Sequence, residues 1–430
     1  MFSSYVRRGL VLGAALALLV PPIAVDAIPA FARKYKVSCA LCHQPFPRLN
    51  DFGEMFAGNG FRMAVGEPAR DTVNAGDNLL RLQSAIPLAM RIDAYMGAVA
   101  NEDGKVVASD LQSPYGVKLF SGGQITDDIS YYLYFFMSER GEVAGLEDAY
   151  VQFTDIGGTG VTAMVGQFQV SDPLFKRELR LEYEDYALYR MRVGDARADL
   201  TYDRGVMLTH SPREGTDLAF LVVNGTGLDE AESSRRYDSD QGKNVLGRIS
   251  QDLPFARVGG FMYAGRERSE GIADDVFYWG LDATLPIGSR TEVNFQYLNR
   301  TDDNPFFLEV CALNDPRCDT TADDPFEAST EGIMGEVLFA PDGAMGRWHL
   351  FGLYNRVWAD RPVFSVRMGE GTEGTPALTN SAGRPLVEEW ETVGVGASWL
   401  AARNFRFLGE VLHDTSQKQT RLVVGLVTAF

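Results

Sequence analysis

Cysteine and histidine are scarce in this chain, with four of each in 430 residues. A disulfide-dense scaffold is thereby excluded. Basic charge is short as well: 40 Lys and Arg face 58 Asp and Glu, a formal net charge of −18. That deficit argues against a nucleic-acid partner and toward small cations or basic proteins, while also keeping exposed loops soluble. Long apolar runs are missing too. Apart from Gly9–Val20, no stretch approaches the ~18 uninterrupted apolar residues of a spanning helix. No helical membrane span is expected in the mature chain.

What is present begins with one pentad. Cys39-Ala40-Leu41-Cys42-His43 reads C-x-x-C-H, the attachment pattern of a c-type haem. Two thiols three positions apart can add to the two vinyl groups of one porphyrin, and the histidine that follows can bind the iron beneath the ring. A zinc site would want two more Cys or His nearby, and residues 28–78 hold no others; a redox dithiol would want a βαβ setting, which the flanks lack. The expected cofactor is therefore one covalent haem c, with Cys39 and Cys42 as its thioether donors and His43 as the proximal ligand.

Residues 1–27 read as a signal peptide. Arg7 and Arg8 precede the apolar run, and Val25-Asp26-Ala27 precedes a cut expected after Ala27. Residues 28–78 are expected to form a small α-helical haem domain. Phe31–Tyr35 suits a short helix carried into the motif, and Pro45 and Pro47 stop it in an extended turn. Residues 48–57 suit a second helix with Leu49, Phe52 and Phe56 on one side, ended by Gly58-Asn59-Gly60. Such a unit buries too little apolar surface to stand alone and should lean on the rest of the chain.

From about residue 80 the hydrophobic period becomes two. Runs of about ten residues recur at 87–100, 114–125, 129–139, 147–155, 160–170, 201–210, 216–226, 243–250, 256–266, 274–286, 291–300, 328–340, 347–358, 387–400, 404–414 and 419–430. Sixteen such segments predict an all-β, 16-stranded transmembrane barrel of the outer-membrane kind over residues 79–430. Short links alternate with long charged ones at 101–113, 171–200, 227–242, 301–327 and 359–386, as short periplasmic turns alternate with external loops. Tyr131, Tyr132, Tyr134, Phe135 and Phe136 are girdle candidates, and Leu422, Val424, Leu426 and Phe430 of the last strand would face lipid.

The signal peptide, the single C-x-x-C-H near the mature N-terminus and the porin-like strand series together resemble the fused outer-membrane cytochrome–porins, whose best-known members are iron(II)-oxidising cytochromes. The matching words are Phe31-Ala32-Arg33-Lys34-Tyr35 before the motif, and Pro47-x-Leu49-Asn50-x-Phe52-Gly53 with Asn59-Gly60-Phe61 after it. The resemblance implies a haem unit inside or beneath a barrel in the Gram-negative outer membrane. It would take electrons from extracellular Fe(II) and pass them to periplasmic cytochromes. Relatives of that shape can serve other donors, and a solute porin that carries a haem is the alternative.

For the distal iron ligand, Met63 is favoured because it follows a Gly-Asn-Gly turn that can fold back over the haem; Met55, which core packing could equally explain, comes next, then a barrel histidine (His210, His349 or His413) or water. Loop 171–200 carries mixed charge and is expected either to fold inward, pairing with residues such as Arg91 and Asp93, or to lie on the surface. Loop 301–327 brackets Cys311 and Cys318, expected as a disulfide, with carboxylates including Asp315, Asp319, Asp323 and Asp324. These hard oxygen donors are expected to attract Fe(II) or simply to form a solvated acidic face.

Overall fold

The computed structural model describes residues 30–64, 72–77, 79–312, 315–319, 321–366 and 378–430. The expected signal peptide and the expected domain boundary at residue 78 lie outside the described residues. Sixteen antiparallel strands close into one barrel. In chain order they are β1 Leu88–Ala100, β2 Val106–Gln124, β3 Ile129–Glu139, β4 Gly145–Phe153, β5 Val161–Gln169, β6 Tyr202–Arg213, β7 Thr216–Val223 and β8 Asn244–Leu253. They continue with β9 Ala256–Ser269, β10 Ile272–Ile287, β11 Thr291–Asp302, β12 Ala328–Phe339, β13 Trp348–Ala359, β14 Glu389–Ala402, β15 Phe405–Asp414 and β16 Gln419–Ala429. Each strand pairs with its sequence neighbour, and β16 closes the ring on β1 from Thr420↔Ala100 to Ala429↔Arg91.

The alternation that makes these segments strands also turns the protein inside out. Buried inward positions are polar, among them Asn294, Gln296, Arg300, Glu336, Asn355 and Thr392. Exposed outward positions are apolar, among them Phe220, Ile249, Met262, Leu281, Val395 and Val424. A belt of exposed apolar side chains all round a closed barrel is the surface that lipid, not water, solvates. Leu422, Val424 and Phe430 lie in it as expected, and the backbone of Phe430 is tied to Met90 at 2.7 and 2.9 Å.

Three expectations need correction. Residues 101–113 are not a long loop, because β2 starts at Val106 and the connection is only residues 101–105. Both faces of residues 106–113 are largely exposed, so no period-two burial marked them, and Pro114 sits beside an irregular register in the β1–β2 pairing. Tyr132, Tyr134 and Phe136 are not girdle residues either. Strand parity points them into the lumen, where Tyr134 and Phe136 are buried and Tyr132 packs on Phe61. Finally, the first helix (α1, Ala30–Tyr35) does not run into the motif: Lys36 adopts a left-handed conformation (φ 55°) and ends it.

Candidate functional site

The pentad forms a single tight turn. Residues Cys39–Leu41 make one 3-10 turn whose start is capped by Ser38, the hydroxyl accepting from the Ala40 amide at 3.3 Å. The amides of Cys42 and His43 both return to the Cys39 carbonyl, at 3.2 and 2.9 Å. Pro45 and Pro47, each following a cis peptide bond, then fold the chain into the turn the sequence suggested. That turn brings the Pro47 carbonyl 2.6 Å from Nδ1 of His43. A bond there fixes the Nδ1–H tautomer and leaves Nε2 as the free donor atom, the arrangement that iron-ligating histidines use. Burial pushes the His43 pKa below its ordinary value, which favours the neutral imidazole a metal needs.

The second helix (α2, Asp51–Gly58) is capped by Asn50, whose side chain accepts from the Gly53 amide at 2.9 Å. Gly53 lets α2 close on the motif, since a Cβ there would stand 2.4 Å from the Cys42 carbonyl oxygen. Phe31, Phe56 and Phe61 form the small aromatic core behind it, with Phe31 and Phe61 stacked at 4.8 Å.

Both cysteines are free, and burial raises the pKa of each thiol. A redox dithiol depends on a lowered thiol pKa, so the environment disfavours that chemistry. Among the described residues no group of three or more His, Cys, Asp or Glu converges as a structural zinc would require. The donor set fits a c-type haem: two unpaired thiols one turn apart, followed by a histidine with an oriented, neutral ring.

Residues 30–64 meet the wall at the end of the barrel where the connections are short. Arg48 donates to Glu336 of β12 at 2.5 Å and to Glu292 of β11 at 2.9 Å. Gln152 of β4 donates to the Gly58 carbonyl at 2.8 Å, and Phe61 packs on Tyr132 of β3 at 5.8 Å. Arg62 donates to the Asp127 carbonyl in the β2–β3 turn, and Gln44 reaches Met345 Sδ in the β12–β13 turn at 3.0 Å. These wall groups are inward-facing or lie in the short turns at this mouth.

Loop 171–200 folds inward, and the surface alternative is wrong. Phe175, Tyr186, Leu188, Tyr189, Met191 and Val193 are buried against inward wall residues. A short helix (α3, Ala187–Arg190) and a two-residue pairing of Arg192–Val193 with Phe364–Ser365 brace it. Its expected tie to Arg91 and Asp93 runs through Lys118, which lies 3.4 Å from Glu178 and 3.6 Å from Asp93, itself 2.7 Å from Arg91. Within the loop, Asp185 collects Arg177, Arg180 and Arg190 at 2.6–3.6 Å, and these cations hold its carboxyl well below the usual range. Lys176 joins the loop to Glu54 of α2 at 3.4 Å. On the long-loop side of this segment lies a cavity of about 1080 Å³, lined by Arg91, Glu178, Arg180, Glu182, Arg384 and Arg421 among others.

The remaining candidates separate. Met55 is 42% exposed on α2, so core packing does not explain it, and Met63 is half-buried just after Arg62. His349 is buried in the wall, while His210 and His413 bond the Gly160 carbonyl and Thr420. In the acidic loop, Asp315 pairs with Arg317 at 2.7 Å, Asp319 caps Thr321 and Asp324 caps Phe326. Among the described residues, Asp315, Asp319, Asp323 and Asp324 form no coordinating cluster. Cys311 and Cys318 are unbonded thiols set against each other, and burial together with that contact pushes Cys318 up to about 12.

Sequence reasoning missed the set Arg48, Glu182, Glu292 and Glu336, which joins the N-terminal unit to the wall and the inward loop. The one available signal was a carboxylate at an inward position of β12.

No family model matches the sequence, and no curated protein does. Solved structures do match the fold. An anion-selective porin from Comamonas acidovorans aligns with a TM-score of 0.53 at 10% identity, over 80% of this chain and 99% of its own. OmpT, an outer membrane protein of Vibrio cholerae, gives 0.52 at 9% identity, over 80% and 99%. Salmonella typhi OmpF in complex with daunomycin gives 0.50 at 10% identity, over 80% and 98%. The chain has a porin-like barrel fold, and identities this low show the fold alone.

Proposed function

We propose that this chain is an outer-membrane cytochrome–porin that moves electrons singly from extracellular Fe(II), through one c-type haem, to periplasmic carriers such as cytochromes. The observation that carries the proposal is the C-x-x-C-H turn, with its unpaired thiols and its Pro47-oriented His43, lodged against the inner wall at one mouth of a closed barrel. The outward apolar belt supports the lipid setting, and the porin-like fold supports the outer membrane as its location.

When bound, the haem supplies one-electron chemistry. Cys39 and Cys42 would tether it, and His43 would offer Nε2 to the iron. Met63, or Met55 as the more exposed thioether of the unit, would be the second protein ligand, and a thioether there would raise the potential relative to a second histidine. Glu54–Lys176 and Arg48–Glu336 hold the unit against the inward loop and the wall. The cavity beyond that loop can admit a small reduced ion from the long-loop side as far as the loop, which its electron then crosses to reach the unit. A ~30 Å hydrocarbon core is too thick for one haem to serve from outside the lumen.

Anaerobic mixing of the purified protein with Fe²⁺, followed by haem absorbance, tests the donor. Reduction within seconds is expected, and its absence overturns the iron role. Replacing both Cys39 and Cys42 with Ala should lose covalent haem while the barrel stays intact, and haem staining that survives the double change overturns the cofactor assignment. The cavity of about 1080 Å³ favours one second reading, a haem-bearing solute porin. Planar-bilayer conductance separates the two, a well-open channel supporting the porin and a blocked one the conduit.

A further inference from the structure

Glu182 of the inward loop and Glu336 of β12 are both buried, at 5% and 0% exposure. Glu336 is fully supplied with donors: Arg48 at 2.5 Å, Asn294 at 2.8 Å and the Tyr186 hydroxyl at 2.8 Å. Glu182 is the opposite case. No other described residue donates to either of its carboxyl oxygens, and besides the backbone amide of Glu182 itself the group they meet is the Glu336 carboxylate. Two acceptors in contact at the nearly buried edge of the cavity favour a proton between them. The other charged or titratable groups facing the pair are Arg48 and Tyr186, Tyr189, whose hydroxyl donates to Gln296 at 3.0 Å, Glu292 beside Arg48 at 2.9 Å, and Arg406 of β15, which donates to the Leu181 carbonyl at 3.2 Å. Leu181, Leu338 and Phe351 close the site with apolar surface.

The same site touches the pentad through one residue. The Arg48 carbonyl accepts from the Gln44 amide at 3.1 Å within the turn that orients His43, while the Arg48 guanidinium grips Glu336. We propose that Glu182 and Glu336 form a proton-binding site, holding one proton between two carboxyls and exchanging it as the charge on the N-terminal unit changes. The exchange half rests on the haem reading of that unit. One electron leaving for a periplasmic carrier leaves one extra positive charge on the unit, and the pair releases its proton to water, becoming two carboxylates beside Arg48. The next electron from the donor draws one proton back. Burial and the Glu336 carboxylate push Glu182 well above the usual carboxylate range, which agrees with a proton held at neutral pH.

Infrared spectroscopy of the purified full chain tests the shared proton with or without haem. A protonated-carboxyl carbonyl band is expected at neutral pH, shifting in heavy water and fading as pH rises. Glu182→Gln should remove the pair's share of it, read in the wild-type-minus-variant difference spectrum, because other buried carboxyls such as Asp148 and Asp274 add to the total. Glu178→Gln should not, since Glu178 has Lys118 and Tyr134 as partners. Absence of any such band in the wild type overturns the site, and that outcome needs no variant to fold. A wild-type-minus-Glu182→Gln difference spectrum that lacks the band, with the barrel folded, also overturns it. Potentiometry tests the exchange. The haem midpoint should fall with rising pH, toward the about 59 mV that a tenfold change in proton activity is worth for one electron, and Glu182→Gln should flatten that slope. Equal slopes overturn the coupling. A chain that carries no haem overturns the functional reading and the coupling together, while the infrared result still decides the shared proton.

Discussion

Arg48 does two jobs with one side chain and one carbonyl. Its guanidinium neutralises Glu336 and Glu292, and its backbone is part of the turn that sets His43. Removing one partner of a buried ion pair costs about 3–5 kcal/mol because the other charge is left without compensation. Arg48 is partly exposed, and Glu336 can take up a proton, so the lower end applies. Arg48→Met is therefore expected to loosen the N-terminal unit by about 3 kcal/mol without opening the barrel. Limited proteolysis should cut between the unit and β1 at least tenfold faster, while the barrel keeps its heat-modifiable migration on gels. Unchanged cleavage would show that the other ties, among them Phe61 on Tyr132, Gln152 to Gly58 and Lys176 to Glu54, hold the unit without Arg48. The pentad was legible in the sequence because its parts are adjacent. The Arg48–Glu336 pair spans 288 positions, and no local pattern joins such partners.

Strands were legible where one face is wet by lipid and the other packed, since that contrast writes a period of two. It failed at residues 106–113, where neither face is consistently buried, and it could not say which parity faces inward at Tyr134 and Phe136. The inward fold of loop 171–200 was an open alternative because mixed charge suits a surface as well as a lumen. Buried Tyr186, Leu188, Tyr189 and Met191 decide it. Fully burying each such side chain is worth about 1.5–3 kcal/mol, so the loop is a fixed partition and not a passing occupant. Replacing residues 176–191 with a short Gly-Ser link should leave the strands paired but widen the lumen. Single-channel conductance is expected to rise several-fold, and thermal stability to fall. A conductance equal to wild type would mean that residues 30–64, not the loop, set the constriction.

Across the whole molecule, acidity is unevenly placed. The long connections on one side carry Asp229, Glu230, Glu232, Asp303, Glu309, Asp319, Asp323 and Asp324, while the chain as a whole stands at −18. Around the pentad at the other mouth the exposed charge is mixed, with Arg33, Lys36, Arg290 and Arg347 beside Asp51, Glu54, Asp127 and Asp342. None of the acidic side chains needs to coordinate a metal for this to matter, because a field of one sign raises the local concentration of counter-ions and speeds their arrival. The field is screened beyond about 8–10 Å at ordinary ionic strength, so its signature is a salt dependence whose sign follows the charge of the donor. Haem reduction by Fe²⁺ should slow as salt rises from low to physiological ionic strength, whereas reduction by an anionic reductant such as dithionite should hold steady or quicken. Replacing Asp319, Asp323 and Asp324 with Asn should reduce the salt effect for Fe²⁺ and leave the rate at high salt unchanged. If both donors instead slow together with salt, the acidic mouth does not steer the donor, and entry through the long-loop side loses its electrostatic basis.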